Sequence, residues 1–376
     1  MSASPAHRVH GLTGNEVPPD WPPLTLDELE PLFARYPELS APQAIGWHSP
    51  RPLAAAARVE TAVGPVFAKR HHASVRSAAT LAEEHAFAAH LRANAIPVPP
   101  IHADADGRTA VALGDWTWEL HAPAAGQDLY RDAPSWTPLG DLAHARAAGA
   151  MLARLHAAAQ GFEAAQRGTH LLVARAELIE AGDAIAALRA QLPERPALAR
   201  WLVGRRWDAD LGEAIAPLHA RVQARAAAQP RLWTHGDWHA SNLFWSRADA
   251  NAGVSAVVDF GLCARTFALF DLATAIERNA IAWLEPDDDR GQAAIAGALI
   301  AGYREVCALK ADDIAFLADL LPVVHLDFAL SEIEYYAGIT RSEANAEAAW
   351  SDFLLGHARW FSRAPGRAFL HALRAA

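Results

Sequence analysis

The chain of 376 residues is 52% apolar and 20% charged, enough for a two-lobed globular protein with a sizeable core. Its net charge of −10 gives no basic footprint for nucleic acid or an anionic membrane, and no charge-free apolar run reaches the roughly 18 residues of a membrane span. Only two cysteines occur, Cys263 and Cys307, which excludes a disulfide framework or a cysteine-rich zinc site and fits a reducing, cytoplasmic setting.

Residues 1–24 are polar and proline-rich and read as a tail or strap. The spacing predicts a helix over about 25–40. The runs QAIGW, LAAAARVET and VFAKRHH, broken by SPRP and VGP, then predict a three-strand meander. ATLAEEHAFAAHLRANA predicts a helix that Pro97 cannot continue. TAVALGD and WTWELHA add two strands, giving five antiparallel strands with one helix inserted after the third. Beyond APAAGQDL, helices are expected over 140–158, 172–192 and 209–227, with short strands near 232–234, 243–246 and 254–259 and mostly helix over 271–362. The expected fold class is α+β and bilobal. A small antiparallel sheet lobe with one helix (25–117) is followed by a linker (118–121) and a larger, mostly helical lobe (122–376).

Residues 233–242 read WTHGDWHASN, and AVVDFG follows after a predicted hairpin. As a metal hydrolase, His235, Asp237, His239 and Asp259 would line a divalent cation. That reading leaves Asn242 unexplained. Phosphoryl transfer from ATP needs an Asp to orient and deprotonate the acceptor hydroxyl, an Asn a few residues on for Mg²⁺, and a second Asp at a neighbouring strand end for the ions that bridge the phosphates. Asp237, Asn242 and Asp259 have that order and spacing.

The same chemistry needs a Lys on the third strand and a carboxylate on the next helix to hold it. The third strand contains Lys69, and the only other lysine is Lys310. Of Glu83 and Glu84, the second lies on the inward stripe with Phe87 and Leu91 and is expected to face Lys69. First-turn acidic residues are also favoured by the helix dipole alone.

VFAK, EEHAFAAHLRANAIPVPPI, LARLH, HGDWHASN, VVDFG and FDLATAI together resemble the aminoglycoside phosphotransferase/choline kinase-type superfamily, small-molecule kinases with a protein-kinase-like fold. The resemblance implies ATP and Mg²⁺ as cofactors and a small-molecule hydroxyl as acceptor. Candidates are an amino alcohol, a hydroxy amino acid such as homoserine, a sugar or an aminoglycoside; a Ser/Thr protein substrate is the alternative. It implies Asp237 as catalytic base, Asn242 and Asp259 as metal ligands, Lys69 and Glu84 as the phosphate-anchoring pair, and adenine against the backbone of Glu119–His121. His235 would support the loop. No GxGxxG, HRDLxxxN or APE motif is present, which separates the chain from ordinary protein kinases. Arg51 reads as an exposed turn residue, with reach to the nucleotide the alternative, and Asp271 as a helix N-cap.

In this architecture the helical lobe reads the acceptor. On a helix from about 323, His325, Ala329, Glu332 and Tyr336 share one face and Asp327, Ser331 and Glu334 another. His325, Glu332, Glu334 and Tyr336 are the candidate acceptor contacts, through charge-assisted hydrogen bonds. A solvated face backed by Phe328, Leu330 and Ile333 is the plain alternative.

Overall fold

The computed structural model describes residues 7–135, 137–249 and 251–376. Among the described residues there are eleven strands: β1 Val9–His10, β2 Glu16–Val17, β3 Pro42–His48, β4 Ala55–Thr61, β5 Val66–His72, β6 Val111–Leu113, β7 Trp116–His121, β8 Leu232–Thr234, β9 Leu243–Trp245, β10 Val254–Val257 and β11 Ala264–Thr266. The first helices are α1 Leu26–Phe33, α2 Ala78–Ala93 and α3 Leu142–Ala159. Short helices α4 Glu177–Glu180, α5 Ala184–Gln191, α6 Pro196–Leu202, α7 Trp207–Ala214, α8 Ala216–His219 and α9 Gln223–Ala227 follow. The rest of the body is α10 Ala268–Asn279, α11 Ala293–Arg304, α12 Ala311–Leu320, α13 Leu326–Tyr335, α14 Glu343–Ala348, α15 Leu355–Phe361 and α16 Ala364–Arg374.

The five predicted strands form one antiparallel sheet in the order β3-β4-β5-β7-β6, with α2 inserted between β5 and β6. Alternation along the strands sends Ala55, Ala57, Val59, Val66, Ala68 and Leu120 to one face, where α1 covers them with Leu29, Leu32 and Phe33. α1 begins in a capping box, with Thr25 Oγ1 accepting from Glu28 N and Glu28 Oε2 from Thr25 N. α2 instead turns Phe87 and Leu91 into the larger helical core. There α3 and α11 cross closely. A Cβ on Gly149 would lie 2.0 Å from Leu299 O, and one on Gly302 would lie 1.8 Å from Arg146 O. Glycine at both positions lets the backbones touch.

Four sequence expectations change. Residues 7–24 are no free tail: β1 and β2 pair, Leu24 is buried, and Trp21 packs against both cores; residues 1–6 lie outside the described residues. Residues 118–121 are no linker but the end of β7, with Lys69 opposite Glu119 and Phe67 opposite His121. The apolar run through Trp118 and Leu120 pairs with β5 instead of leaving the sheet. The helix expected over 172–192 breaks at Gly182, where Asp183 caps a new helix by accepting from Ile185 N and Ala186 N. The one over 209–227 divides into α7, α8 and α9, with Pro217 in the first turn of α8.

One helical stretch, Ala311–Thr340, is long and apolar enough by composition to cross a membrane, but 89% of its apolar window is buried inside the protein. It is the central element of the helical core.

Candidate active site

A cleft of about 850 Å³ separates the sheet from the helical body, and the catalytic motifs meet in it. On its sheet side, β5 carries Lys69. On its helical side, β8 leads into the loop bearing Asp237, the 3₁₀ turn Ala240–Asn242 follows, and the β9–β10 hairpin returns the chain to Asp259. Lys69 Nζ lies 2.9 Å from Asp259 Oδ1 across the cleft and 3.9 Å from Glu119 Oε1. Burial opposes the lysine's charge, but the two carboxylates outweigh it and raise its pKa, so the ammonium persists. The same contact holds Asp259 below the usual carboxylate range against its own burial. Asp259 has φ +61°, a left-handed conformation that favours glycine and is held here by its place between β10 and the Phe260 turn.

Asp237 faces three groups. Its Oδ1 lies 2.8 Å from Arg278 NH1, its Oδ2 accepts from Asn242 Nδ2 at 3.1 Å, and His239 Nε2 is 3.5 Å from Oδ2. Burial alone would raise its pKa, yet Arg278 first and His239 second hold it well below the carboxylate range. It is an ionised acceptor-only group. Asn242 also donates to Asp237 O at 2.9 Å, so its amide nitrogen locks the loop and its oxygen is left for other partners.

The loop conformation has its own anchors. Gly236 has φ +75°, and a Cβ there would sit 2.7 Å from Leu262 O. His235 accepts from Asp237 N through Nδ1 and donates Nε2–H to Val258 O at 3.1 Å. With both ring nitrogens used, it supports the loop as expected and is not available to a metal. Asp271 is not the helix cap it was expected to be; Phe267 holds that position and Asp271 lies inside the first turn of α10. The Asp271 carboxylate turns to the catalytic-motif loop instead, accepting from His235 N at 2.9 Å, Gly236 N at 2.8 Å and His156 Nε2 at 3.0 Å.

The Lys69–Glu84 pair is not formed. Glu84 Oε1 accepts from Arg76 Nε and Arg167 NH2, both at 2.6 Å, and Glu83 pairs with Arg167 at 3.0 Å. Two buried guanidiniums outcompete one ammonium for the carboxylate because their forks reach it at short range. Glu119 is also a side-chain participant, although only its backbone was expected to matter. It accepts from His71 at 3.0 Å, His85 at 2.8 Å and His121 at 2.7 Å. Burial would raise its pKa, but His121 foremost holds it well below the normal range. The backbone there is already engaged, with His102 N donating to Leu120 O and Ala122 N to Pro100 O. The open cleft edge therefore begins after His121, at Ala122–Ala124.

Arg51 is not an exposed turn residue. Its NH1 donates to Ala133 O at 2.7 Å and Ser135 Oγ at 3.2 Å, closing the β3–β4 turn over the cleft. Of the four acceptor candidates, Glu332 and Tyr336 line the cleft, and Phe328 joins them. Glu334 does not: it pairs with Arg195 at 2.9 Å. His325 does not either, because it is turned to Leu354 O at 2.9 Å. Sequence reading missed Arg278. A signal for it existed: it lies seven residues after Asp271, two turns along the same face of α10.

Oxygen ligands suit Mg²⁺, and the Asp259 carboxylate with the Asn242 amide oxygen is a donor set of that kind on the wall opposite Lys69.

The lysine-bearing third strand, the Asp/Asn loop and the DFG turn across one cleft define a kinase-type phosphotransferase. The chain belongs to the phosphotransferase enzyme family, whose family model matches residues 54–309. It is a phosphotransferase of that family. Among solved structures it is similar to a microcompartment-associated aminopropanol kinase (19% identity, 91% of this chain and 99% of that one, TM-score 0.63). It is also similar to the amicoumacin kinase hAmiN, solved with AMP-PNP, Ca²⁺ and Ami (16% identity, 89% and 92%, TM-score 0.57). A thermostable mutant of aminoglycoside phosphotransferase APH(4)-Ia, solved with ADP and hygromycin B, matches at 13% identity over 93% of this chain and 98% of that one, TM-score 0.52. No curated protein matches by sequence.

Proposed function

We propose that the protein transfers the γ-phosphoryl group of Mg·ATP to a hydroxyl of a small, amine-bearing acceptor, an amino alcohol or hydroxy amino acid. The observation that carries this reading is the buried carboxyl of Glu332, which lines the same cleft as the ionised Asp237 and has one oxygen without a partner among the described residues. Burial keeps a proton on this carboxyl, and an amine entering beside it would take that proton and leave an ammonium–carboxylate pair. Phe328 and Tyr336 beside it offer aromatic faces to the cation. The N-terminal residues His10, Gly11 and Leu12 also line the cleft, which favours a small acceptor over a protein segment.

In this reading Asp237 accepts the hydroxyl proton as the oxygen attacks, and Asn242 keeps its carboxylate oriented. Lys69, which lies 2.9 Å from Asp259 across the cleft, would hold the α- and β-phosphates. Asn242 and Asp259 would hold the Mg²⁺, which neutralises charge on the phosphates. Arg278 and Asp271 position the base and the loop. The positive partner kept on Asp237 makes it a weak base in the ground state, suited to taking a proton only as the hydroxyl becomes acidic during attack.

The test is Mg·ATP consumption against a panel of small hydroxyl compounds with and without an amine, alongside Asp237→Asn. Turnover on amine-bearing members that falls about 10²–10⁴-fold in the variant is expected. Turnover equal on acceptors lacking the amine would reject the amine-binding role. Failure to bind nucleotide at all would reject the kinase chemistry.

A further inference from the structure

Behind Arg278 lies a second polar cluster that phosphoryl transfer does not use. Glu277 precedes Arg278 on α10, His325 stands at the entry to α13, and His357 lies on α15. Their exposures are 1%, 4% and 8%. None of the three lines the cleft. One ligand-type atom from each lies within 4.8 Å of the other two.

The local hydrogen bonding is that of an imidazole–carboxylate ligand set. His357 Nδ1 is 3.0 Å from Glu277 Oε1. Two ligand atoms around a tetrahedral ion with the usual zinc bond lengths lie about 3.3 Å apart. His325 donates Nε2–H to Leu354 O at 2.9 Å, which fixes its tautomer and leaves a lone pair on Nδ1. That Nδ1 is buried and has no partner among the described residues. A hydrogen bond from the far ring nitrogen to a backbone carbonyl is the usual way a ligating imidazole is oriented. Leu354 closes a π-helical turn, Ala349–Leu354, whose wider winding precedes α15 and brings its carbonyl to His325. The ring of Trp283 stacks on His357 with centroids 3.4 Å apart and fixes its plane.

Arg278, paired with Asp237 at 2.8 Å, and Arg290, paired with Asp287 at 2.9 Å, also lie close enough to oppose a positive charge on His357.

We infer that Glu277, His325 and His357 form a buried structural site for a divalent transition metal ion, zinc by preference. A carboxylate with two neutral imidazoles is a zinc donor set, and water takes the fourth position. The proton that lies between His357 Nδ1 and Glu277 Oε1 goes to solvent as the ion takes its place. The ion ties together α10, which carries Arg278 and Asp271, α13, which carries Glu332, and α15. Its role is to fix the acceptor wall. It takes no part in the transfer, and the inference stands independently of the acceptor's identity.

The experiment is metal analysis of the full-length protein after incubation with zinc and gel filtration, for wild type, Glu277→Gln, His357→Gln and His239→Ala, with circular dichroism on each. About one zinc per chain is expected in wild type and His239→Ala, falling roughly tenfold in the other two. Thermal unfolding of wild type should move upward with zinc and downward with chelator. Should the two cluster variants fail to fold, Co²⁺ loading of wild type decides through the visible absorption bands of a four-coordinate site. Wild type without bound zinc, zinc retained by both cluster variants, zinc lost only from His239→Ala, or Co²⁺ without those bands would each overturn the inference.

Discussion

Arg278 NH1 lies 2.8 Å from Asp237 Oδ1, so the carboxylate proposed as the base is held by a guanidinium from α10. The consequence is a pH effect with a definite sign. Arg278 keeps the Asp237 pKa below the carboxylate range. Removing it lets burial raise that pKa, so the base is protonated at higher pH than before. Arg278→Gln should therefore shift the acidic limb of the kcat/KM profile upward, a change that merely structural damage would not produce. An unmoved acidic limb would show that Arg278 does not tune the base.

Glu332 gives the opposite case. Burial pushes its carboxyl up to about 8, with Arg278 only partly opposing. The native state then holds a proton that the unfolded chain has released above the ordinary glutamate range. Stability from this group is full below that range and declines as pH rises towards about 8. Glu332→Gln removes the decline, so its thermal midpoint should exceed wild type most at pH above 8, by an amount corresponding to a few kcal/mol at most. The same variant should raise KM for an amine-bearing acceptor while changing nucleotide KM little. Equal melting of the two proteins at pH 9 would contradict the buried protonated carboxyl.

Glu84 is a structural hub in this state. Arg76 and Arg167 both end on its Oε1. Glu84→Ala leaves two buried guanidiniums short of a partner and should cost about 3–5 kcal/mol of stability, read by denaturant unfolding. Lys69→Ala should cost far less stability but abolish productive nucleotide use. A Glu84→Ala protein of unchanged stability with weakened nucleotide binding would instead mean that Glu84 turns to Lys69 during catalysis.

Asp271 receives the backbone N–H groups of His235 and Gly236 and the imidazole of His156. Asp271→Asn replaces an acceptor-only carboxylate with an amide that cannot accept all three. The expected result is a kcat loss of about tenfold or more with KM for nucleotide held near wild type, since the loop but not the sheet is disturbed. A change confined to nucleotide KM would assign Asp271 elsewhere.

Much of the site was legible in the sequence because its residues are close in the chain and their chemistry is stereotyped. HGDWHASN and VVDFG fix the loop and the returning strand, and a chain with two lysines leaves little choice for the third strand. Alternation and proline breaks likewise determine the five strands and the helix after the third. Such features are set by local sterics and by which face must leave water.

The tertiary structure alone decided the partners. Whether Glu84 meets Lys69 or two arginines depends on where the segment at 167 packs, which no local pattern records. His325 and Glu332 share a helical row, yet one faces a buried cluster and the other the cleft, because α13 is enclosed on nearly all sides and its two ends meet different neighbours. Periodicity tells which residues share a face. Only packing over long sequence separations tells what that face meets, and the charges that tune Asp237 and Glu332 arrive by that route.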